Sequence, residues 1–340
     1  MRRVVGRMLH AVVWLVLVIG TLGAVLALLA LGTPVPKHIT YGVTFSKYHA
    51  DELGLDWRAA YDAILGDLNV KHVRLVAHWP MVEPKDGTYD FSVIDYQMAA
   101  AASHHADVIL GVGRRLPSWP ECHVPDWAKA LDKAHQDQAL LDYETAVVNR
   151  YKDSPAVKYW QVENEAFIIG YAYTQCGKTD VALLDKEIAL VKSLDPTHPV
   201  LITDSGELSP WYQAWNRGDI FGTTLYKYMW NPVLGEFTYP LPAWFYRARL
   251  TLMRLVTGRD KPAILAELEA EPWLLHPIIE TPIATQVERM SIHKFDNILS
   301  FAAQSGLATQ YLWGVEWWYY LKVKDGHPEF WNHARHIVNP

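Results

Sequence analysis

The 340-residue sequence has only two cysteines, Cys122 and Cys176, which excludes a small disulfide-dense scaffold. Glycine and proline number 20 each and follow no period, so collagen-like and low-complexity chains are excluded too. Positive charge is not in excess: 31 Lys and Arg stand against 37 Asp and Glu, a formal net charge of −6. A general nucleic-acid binder needs a basic surface to neutralise phosphates, so no nucleic-acid partner is expected. No G-x-G-x-x-G turn follows the first β-rich run, and neither a Walker loop nor a G-x-S-x-G elbow occurs. The 15 histidines contain no H-E-x-x-H and no H-x-H on the first strand, which disfavours a metallohydrolase; no metal is expected. What the chain has in quantity is aromatic surface: 15 Trp, 18 Tyr and 9 Phe. Flat rings suit the apolar faces of sugars and also fill cores, so composition leaves both uses open.

One long hydrophobic run is present. Arg2, Arg3 and Arg7 precede the uncharged stretch Ala11–Gly32, long enough to cross a hydrocarbon core of about 30 Å as one helix. A cleavable signal peptide carries a shorter apolar region, about 7–15 residues, before its small-residue site. Ala30-Leu31-Gly32 does offer a small-x-small pattern at the far end, which leaves cleavage open. Basic residues on the short side predict that the N-terminus stays cytoplasmic. The reading is a single-pass signal anchor in the cell membrane. It has a cytoplasmic basic tip 1–10, a transmembrane span 11–32 in the lipid bilayer, a linker 33–38 and one extracytoplasmic domain 39–340. Cys122 and Cys176, an even pair in an exported domain, can form a disulfide or remain two thiols.

The body alternates short β-rich runs with helical periodicity. The expected strands are Ile39–Phe45, Val70–Ala77, Asp107–Gly113, Ala156–Glu163, Pro199–Ser205, Ile220–Tyr226, Pro262–Leu268 and Ala308–Gly314. The expected helices include Trp57–Leu68, Val93–Ser103, Ala139–Tyr151, Val181–Leu194, Trp244–Val256, Thr285–Ser305 and Pro328–Ile337. Eight such β/α units predict an α/β fold, a single (β/α)8 TIM barrel behind the membrane helix. The longest irregular stretches, 166–180 and 227–241, follow strand ends, where a barrel carries its site loops.

Two strand ends carry carboxylates. The fourth strand runs into Val162-Glu163-Asn164-Glu165, and the seventh into Leu265-Ala266-Glu267-Leu268. A charge closing an apolar strand must face water or a polar cavity, because burying it unpaired is costly. Cleaving a glycosidic bond needs such a pair, one group to protonate the leaving oxygen and one to attack the anomeric carbon or activate water. Glu267, Glu269 and Glu271 lie at period two, so Glu269 and Glu271 stay open as alternatives to Glu267.

These segments resemble the clan A retaining glycoside hydrolases, the group that includes cellulase-like family 5 and the β-galactosidase families. His78-Trp79-Pro80-Met81-Val82-Glu83-Pro84 followed by Gly87-Thr88-Tyr89-Asp90-Phe91 is similar to the clan's W-x-x-x-E-P…G-x-Y/F-D-F segment. Arg74, Tyr226 and Trp313 or Trp317 match the arginine, tyrosine and tryptophan that the clan places around its nucleophile and sugar. The clan's proline after the acid/base glutamate is replaced by Ala166. The resemblance implies Glu165 as acid/base, Glu267 as nucleophile beside Arg74 and Tyr226, and Asn164 on the sugar 2-hydroxyl. It implies a substrate-binding set that adds His78, Trp79, Trp119, Glu271, Trp273, Trp313 and Trp317. The expected function is a membrane-anchored β-glycosidase with net retention on an oligo- or polysaccharide, with no cofactor. A transglycosylase on the same site and a non-catalytic glycan-binding envelope protein are the alternatives. Glu163 reads as a structural charge. Arg114 and Arg115 suit either substrate or rim carboxylates, Glu207 either sugar or a helix cap, and Trp211 and Trp230 either stacking or core.

Overall fold

Apolar runs flanked by helices have one good way to bury both faces, a parallel sheet wrapped in helices. The computed structural model, which describes residues 2–118, 121–168 and 176–339, adopts it. The strands are β1 (Thr40–Thr44), β2 (His72–Val76), β3 (Asp107–Val112), β4 (Val157–Val162), β5 (Val200–Asp204) and β6 (Ile220–Leu225). After them come β7 (Met229–Asn231), β8 (Gly235–Phe237), β9 (Ala263–Glu269) and β10 (Thr309–Trp313). Eight of them close into a parallel barrel in the order β1-β10-β9-β6-β5-β4-β3-β2. The chain is therefore a TIM barrel, with β9 and β10 as its seventh and eighth staves.

All eight expected strands form, within a residue or two of their expected ends. Other details depart from expectation. The segment 227–241, read as irregular, contains the antiparallel hairpin β7–β8. The expected helix Thr285–Ser305 is two helices, Ile283–Arg289 and Ile292–Ala302. The break falls at Ser291, whose extended backbone and side-chain acceptor for the Lys294 N–H start a new helix. Short helices Lys47–Glu52, Trp79–Val82 and Val315–Lys324 also follow strand ends.

Two apolar layers hold the barrel. Ile109, Leu201, Ile220, Ile264, Ala266 and Tyr311 fill its interior. Alternate residues such as Leu75, Leu110, Ile202, Leu265 and Leu312 pack outward under the helices. Along β9 the alternation breaks. Thr223 of β6 pairs with Leu265, but Thr224 pairs with Glu267. On the other side Gln310 pairs with Leu265 and Leu312 with Leu268. One residue, Ala266, is extra against both neighbours, a bulge of the kind that re-aims a side chain. Without it Glu267 would follow Leu265 outward into the helix layer.

The N-terminal helix spans Arg2–Ala30, and Val12–Ala30 has the length and composition of a membrane anchor or a signal sequence. The expected linker 33–38 begins in contact with the barrel. Thr33 is buried, and its hydroxyl bonds Thr251 (2.8 Å) and the Arg254 guanidinium (2.8 Å) on helix Trp244–Thr257.

Candidate active site

At the C-terminal rim of the barrel, polar side chains point inward from β2, β4, β5, β6 and β9. Arg74, 1% exposed, is their centre. Its Nη1 donates to Glu267 Oε1 (2.7 Å), its Nη2 to Asn164 Oδ1 (2.8 Å) and its Nε to Gln161 Oε1 (2.7 Å). A planar guanidinium offers its donors in a fixed fork, so one side chain sets the spacing of three others. Tyr226 closes the nucleophile position from the other side, its hydroxyl donating to Glu267 Oε2 at 2.9 Å. The Asn164 oxygen also accepts from Thr203 Oγ1 and Gln161 Nε2. Among the described residues its Nδ2 is buried without a partner, leaving an amide donor for something else.

Glu165 reaches the same opening from β4. Its Oε1 accepts from Thr224 Oγ1 (2.8 Å), and Thr224 is the residue paired with Glu267 across β6 and β9. Adjacent strands lie about 4.8 Å apart, so the two carboxyls are held within one opening. The strand end is bent to do this: Glu163 and Glu165 take left-handed backbone angles, φ 57° and 43°. Such angles cost roughly 1–3 kcal/mol each in non-glycine residues and need over-determined surroundings. Those surroundings are present. The Glu163 carboxylate accepts from the Arg114 N–H (3.0 Å) and the Arg115 N–H (2.6 Å), and the Glu165 N–H donates to Thr203 Oγ1. Gly113 makes the room, since a Cβ there would lie 2.9 Å from the Glu163 carboxyl. Glu163 thus locks β4 to the loop after β3, as its reading as a structural charge expected.

Burial, then the neighbouring Glu267 and Glu121 charges, hold the Glu165 carboxyl well above the ordinary carboxylate range. The Thr224 hydroxyl works the other way, favouring the ionised form.

The two carboxylates that follow Glu267 at period two have different partners. Glu269 accepts from the Lys227 and Tyr228 N–H groups (2.7 and 2.9 Å), and burial pushes it up to about 8. Glu271 accepts from Trp313 Nε1 (2.7 Å) and bonds His49 Nε2 (2.8 Å). Neither meets Arg74, which separates both from Glu267. Trp313 stands half-buried at the rim with its indole nitrogen fixed by Glu271. Trp273 lies beside Tyr226, ring centroids 5.5 Å apart.

Several expected contact residues are placed elsewhere. Trp79 is fully buried, its Nε1 bonded to Glu83 and its ring stacked on Tyr143. Trp317 is buried against Phe330 with Nε1 on Gln286, so Trp313 is the rim tryptophan. His78 is buried under the loop after β3, with Nε2 on the Pro117 carbonyl at 2.8 Å. Helix-forming and loop-supporting demands outweigh the rim position that sequence adjacency suggested for all three. Trp211 is likewise core, beneath the Arg249 guanidinium. Trp230 lies in β7 against Arg289. Glu207 caps no helix; it holds the Tyr226 N–H and the Tyr246 hydroxyl. Trp119 lies outside the described residues. Cys122 and Cys176 form a disulfide, tying the loop after β3 to the loop after β4.

Sequence reasoning missed Gln161, Thr203, Thr224 and Glu121. The first was visible as a lone amide inside an apolar strand, and Thr224 sits at period two from Tyr226. Glu121 gave no signal in a loop between Pro120 and Cys122.

Comparison with known proteins adds likenesses to this geometry. A glycoside hydrolase family 42 model, described as β-galactosidase, matches residues 57–180, a span that holds Arg74, Asn164 and Glu165. Mannan endo-1,4-β-mannosidase F of Aspergillus fumigatus is 44% identical over 158 residues, 41% of this chain and 34% of that protein. β-Galactosidase LacA of Lactobacillus acidophilus is 24% identical over 116 residues, 29% of this chain and 17% of that protein. The matched part of the chain thus spans 34% and 17% of these two curated relatives. Among solved structures, GH5_18 from Bifidobacterium longum superposes with TM-score 0.57 at 16% identity, covering 82% of this chain and 70% of that one. Xylanase 10B from Thermotoga petrophila gives TM-score 0.52 at 13% identity, covering 81% and 82%. The chain is thus similar over 57–180 to a glycoside hydrolase family 42 model, similar in part to mannosidases and β-galactosidases, and shares the TIM barrel of the solved structures.

Proposed function

We propose that the chain is a membrane-anchored, extracytoplasmic β-glycosidase working by double displacement with retention. The observation that carries this reading is the Arg74 fork, which holds Glu267 and Asn164 together while Thr224 brings Glu165 to the strand position of Glu267. Glu165, kept protonated by its surroundings, gives its proton to the glycosidic oxygen as a Glu267 oxygen bonds to the anomeric carbon. The leaving alcohol departs and a glycosyl ester remains on Glu267. Ionised Glu165 then takes a proton from water, whose oxygen attacks the same carbon and frees Glu267. The orphan Nδ2 of Asn164 suits a hydrogen bond to the sugar 2-hydroxyl, one that strengthens as positive charge develops on the ring. The names of the relatives make β-mannosides and β-galactosides the first substrates to test.

The test is product stereochemistry. The 340-residue chain in detergent is incubated with aryl β-mannosides and β-galactosides, and the first-formed anomer is followed by proton NMR. The β-anomer is expected first; an α-anomer, or no turnover of any glycoside, would sink the reading. Adding a sugar acceptor separates hydrolysis from transfer, because transfer yields a longer glycoside instead of free sugar.

The pH profile gives a second check. A carboxyl with a raised pKa is protonated below that value and ionised above it, so kcat/KM should fall as pH rises through the Glu165 value. Thr224→Val removes the bond that favours the anion. Its alkaline limb should move to higher pH; an unmoved limb would assign that limb to another group.

A further inference from the structure

Glu121 lies on the loop after β3, beside the strand end that carries Asn164 and Glu165, and the mechanism above does not use it. Its backbone is fully engaged. The Glu121 N–H donates to the Ser118 carbonyl (2.7 Å), and its own carbonyl accepts from the Leu116 N–H (3.0 Å). The residue takes a left-handed φ of 62°, and the next residue, Cys122, bridges to Arg115 and is disulfide-bonded to Cys176. These contacts fix the backbone from which the Glu121 side chain leaves. Arg115, bridged to Cys122, accepts at its carbonyl from the Asn164 N–H (2.7 Å) and reaches the Glu165 carbonyl with Nη1 (3.5 Å), which sets this loop against the acid/base end of the site. The electrostatic neighbours of the carboxyl agree: Glu267 opposes its ionisation, while Arg115 and Arg74 favour it. Glu165 and Tyr226 in turn feel its charge. Among the described residues its carboxyl makes no hydrogen bond or ion pair, unlike Glu163, Glu165, Glu267, Glu269 and Glu271.

We infer that Glu121 binds substrate: its carboxylate accepts hydrogen bonds from ring hydroxyls of a neutral sugar held between Glu165 and Glu267, and so selects sugar configuration. This rests on the glycosidase reading of the site. Like charges crowded into one opening are tolerated where a ligand supplies the missing donors. A cationic amino sugar fits less well, because the Arg74 and Arg115 guanidiniums already act on the same carboxyl. A structural role is already filled by the backbone bonds and the disulfide. Burial and Glu267 push the Glu121 carboxyl up to about 7, so affinity should rise as pH rises through 7 and the anion, the better acceptor, forms.

The test is a binding cycle in the 340-residue chain, with Glu165→Gln in the background to prevent turnover. Affinities for p-nitrophenyl β-mannoside, β-galactoside and β-glucoside, and for single-deoxy analogues of the tightest binder, are measured by calorimetry with and without Glu121→Gln. Glu121→Gln is expected to weaken the parent sugar about 10- to 100-fold. It should leave unchanged the affinity for the one or two deoxy analogues lacking the contacted hydroxyls. Glu121→Asp should recover part of the loss. Equal losses on every analogue, no loss, no binding by any sugar, or tighter binding of an amino sugar would overturn the inference. An unchanged melting temperature and an intact disulfide by mass keep the comparison free of misfolding. Turnover of the same glycosides by the unmodified chain is measured alongside. If the cycle shows hydroxyl-specific loss but nothing turns over, the hydrolase reading fails alone; if turnover occurs without hydroxyl-specific loss, only the Glu121 role fails.

Discussion

Glu267→Ala should lower kcat/KM by about four to six orders of magnitude, the scale on which enzymes lose turnover when a covalent nucleophile is removed from a cooperating set. Sodium azide should restore part of it, because a small anion can enter the vacated space and attack the anomeric carbon from the same face. The product would be the α-glycosyl azide, detectable by NMR. The substitution also removes the partner of Arg74 Nη1 and the acceptor of the Tyr226 hydroxyl, leaving a buried guanidinium short of its counter-charge. Breaking a buried pair from one side costs about 3–5 kcal/mol, so melting must be measured beside activity. Glu267→Gln keeps an acceptor for Arg74 and should melt closer to the parent while remaining inactive. Turnover within tenfold of the parent in either variant would remove Glu267 from the nucleophile position.

Arg74→Met should damage stability and activity together. Arg74 ties Gln161, Asn164 and Glu267 together at 1% exposure, and among the described residues no other joins β2 to both β4 and β9 in this way. Methionine leaves the Glu267 carboxylate buried without its cation, a loss of about 3–5 kcal/mol. At about 2–4 °C per kcal/mol for a domain of this size, the melting point should drop on the order of 10 °C. Activity should fall at least about 100-fold even well below the melting transition, since Asn164 and Glu267 lose the fork that spaces them. Lysine should rescue stability more than rate, because a point charge cannot donate to both Asn164 and Glu267 in the guanidinium geometry. A Met variant that melts like the parent and keeps its rate would show that the fork does not set the site.

Both variants act on contacts that were partly legible in the chain. Glu163-Asn164-Glu165 after an apolar strand, and Glu267 near the end of another, were visible because charges stand out where burial is otherwise complete. Arg74 inside Val73-Arg74-Leu75 stood out for the same reason. The tryptophans were far less legible. A ring near a strand end in sequence reads the same whether it turns toward sugar or, as with Trp79, Trp211 and Trp317, into the helix layer. Which it does depends on the turn geometry of the next few residues, and local composition carries little of that.

The order of strands and helices, the anchor-like N-terminal run and the carboxylates at two strand ends were settled by sequence alone, because hydrophobic period and charge placement are local properties. Which of Glu267, Glu269 and Glu271 meets Arg74 was settled only in three dimensions. The extra residue Ala266 shifts the phase of β9 against both neighbours, and strict alternation would have sent Glu267 outward with Leu265. Glu121 entered the site in the same non-local way, through a turn closed by Leu116 and Ser118 and a disulfide to Cys176. Register and loop closure are relations between distant segments, and only the closed barrel brings those segments side by side.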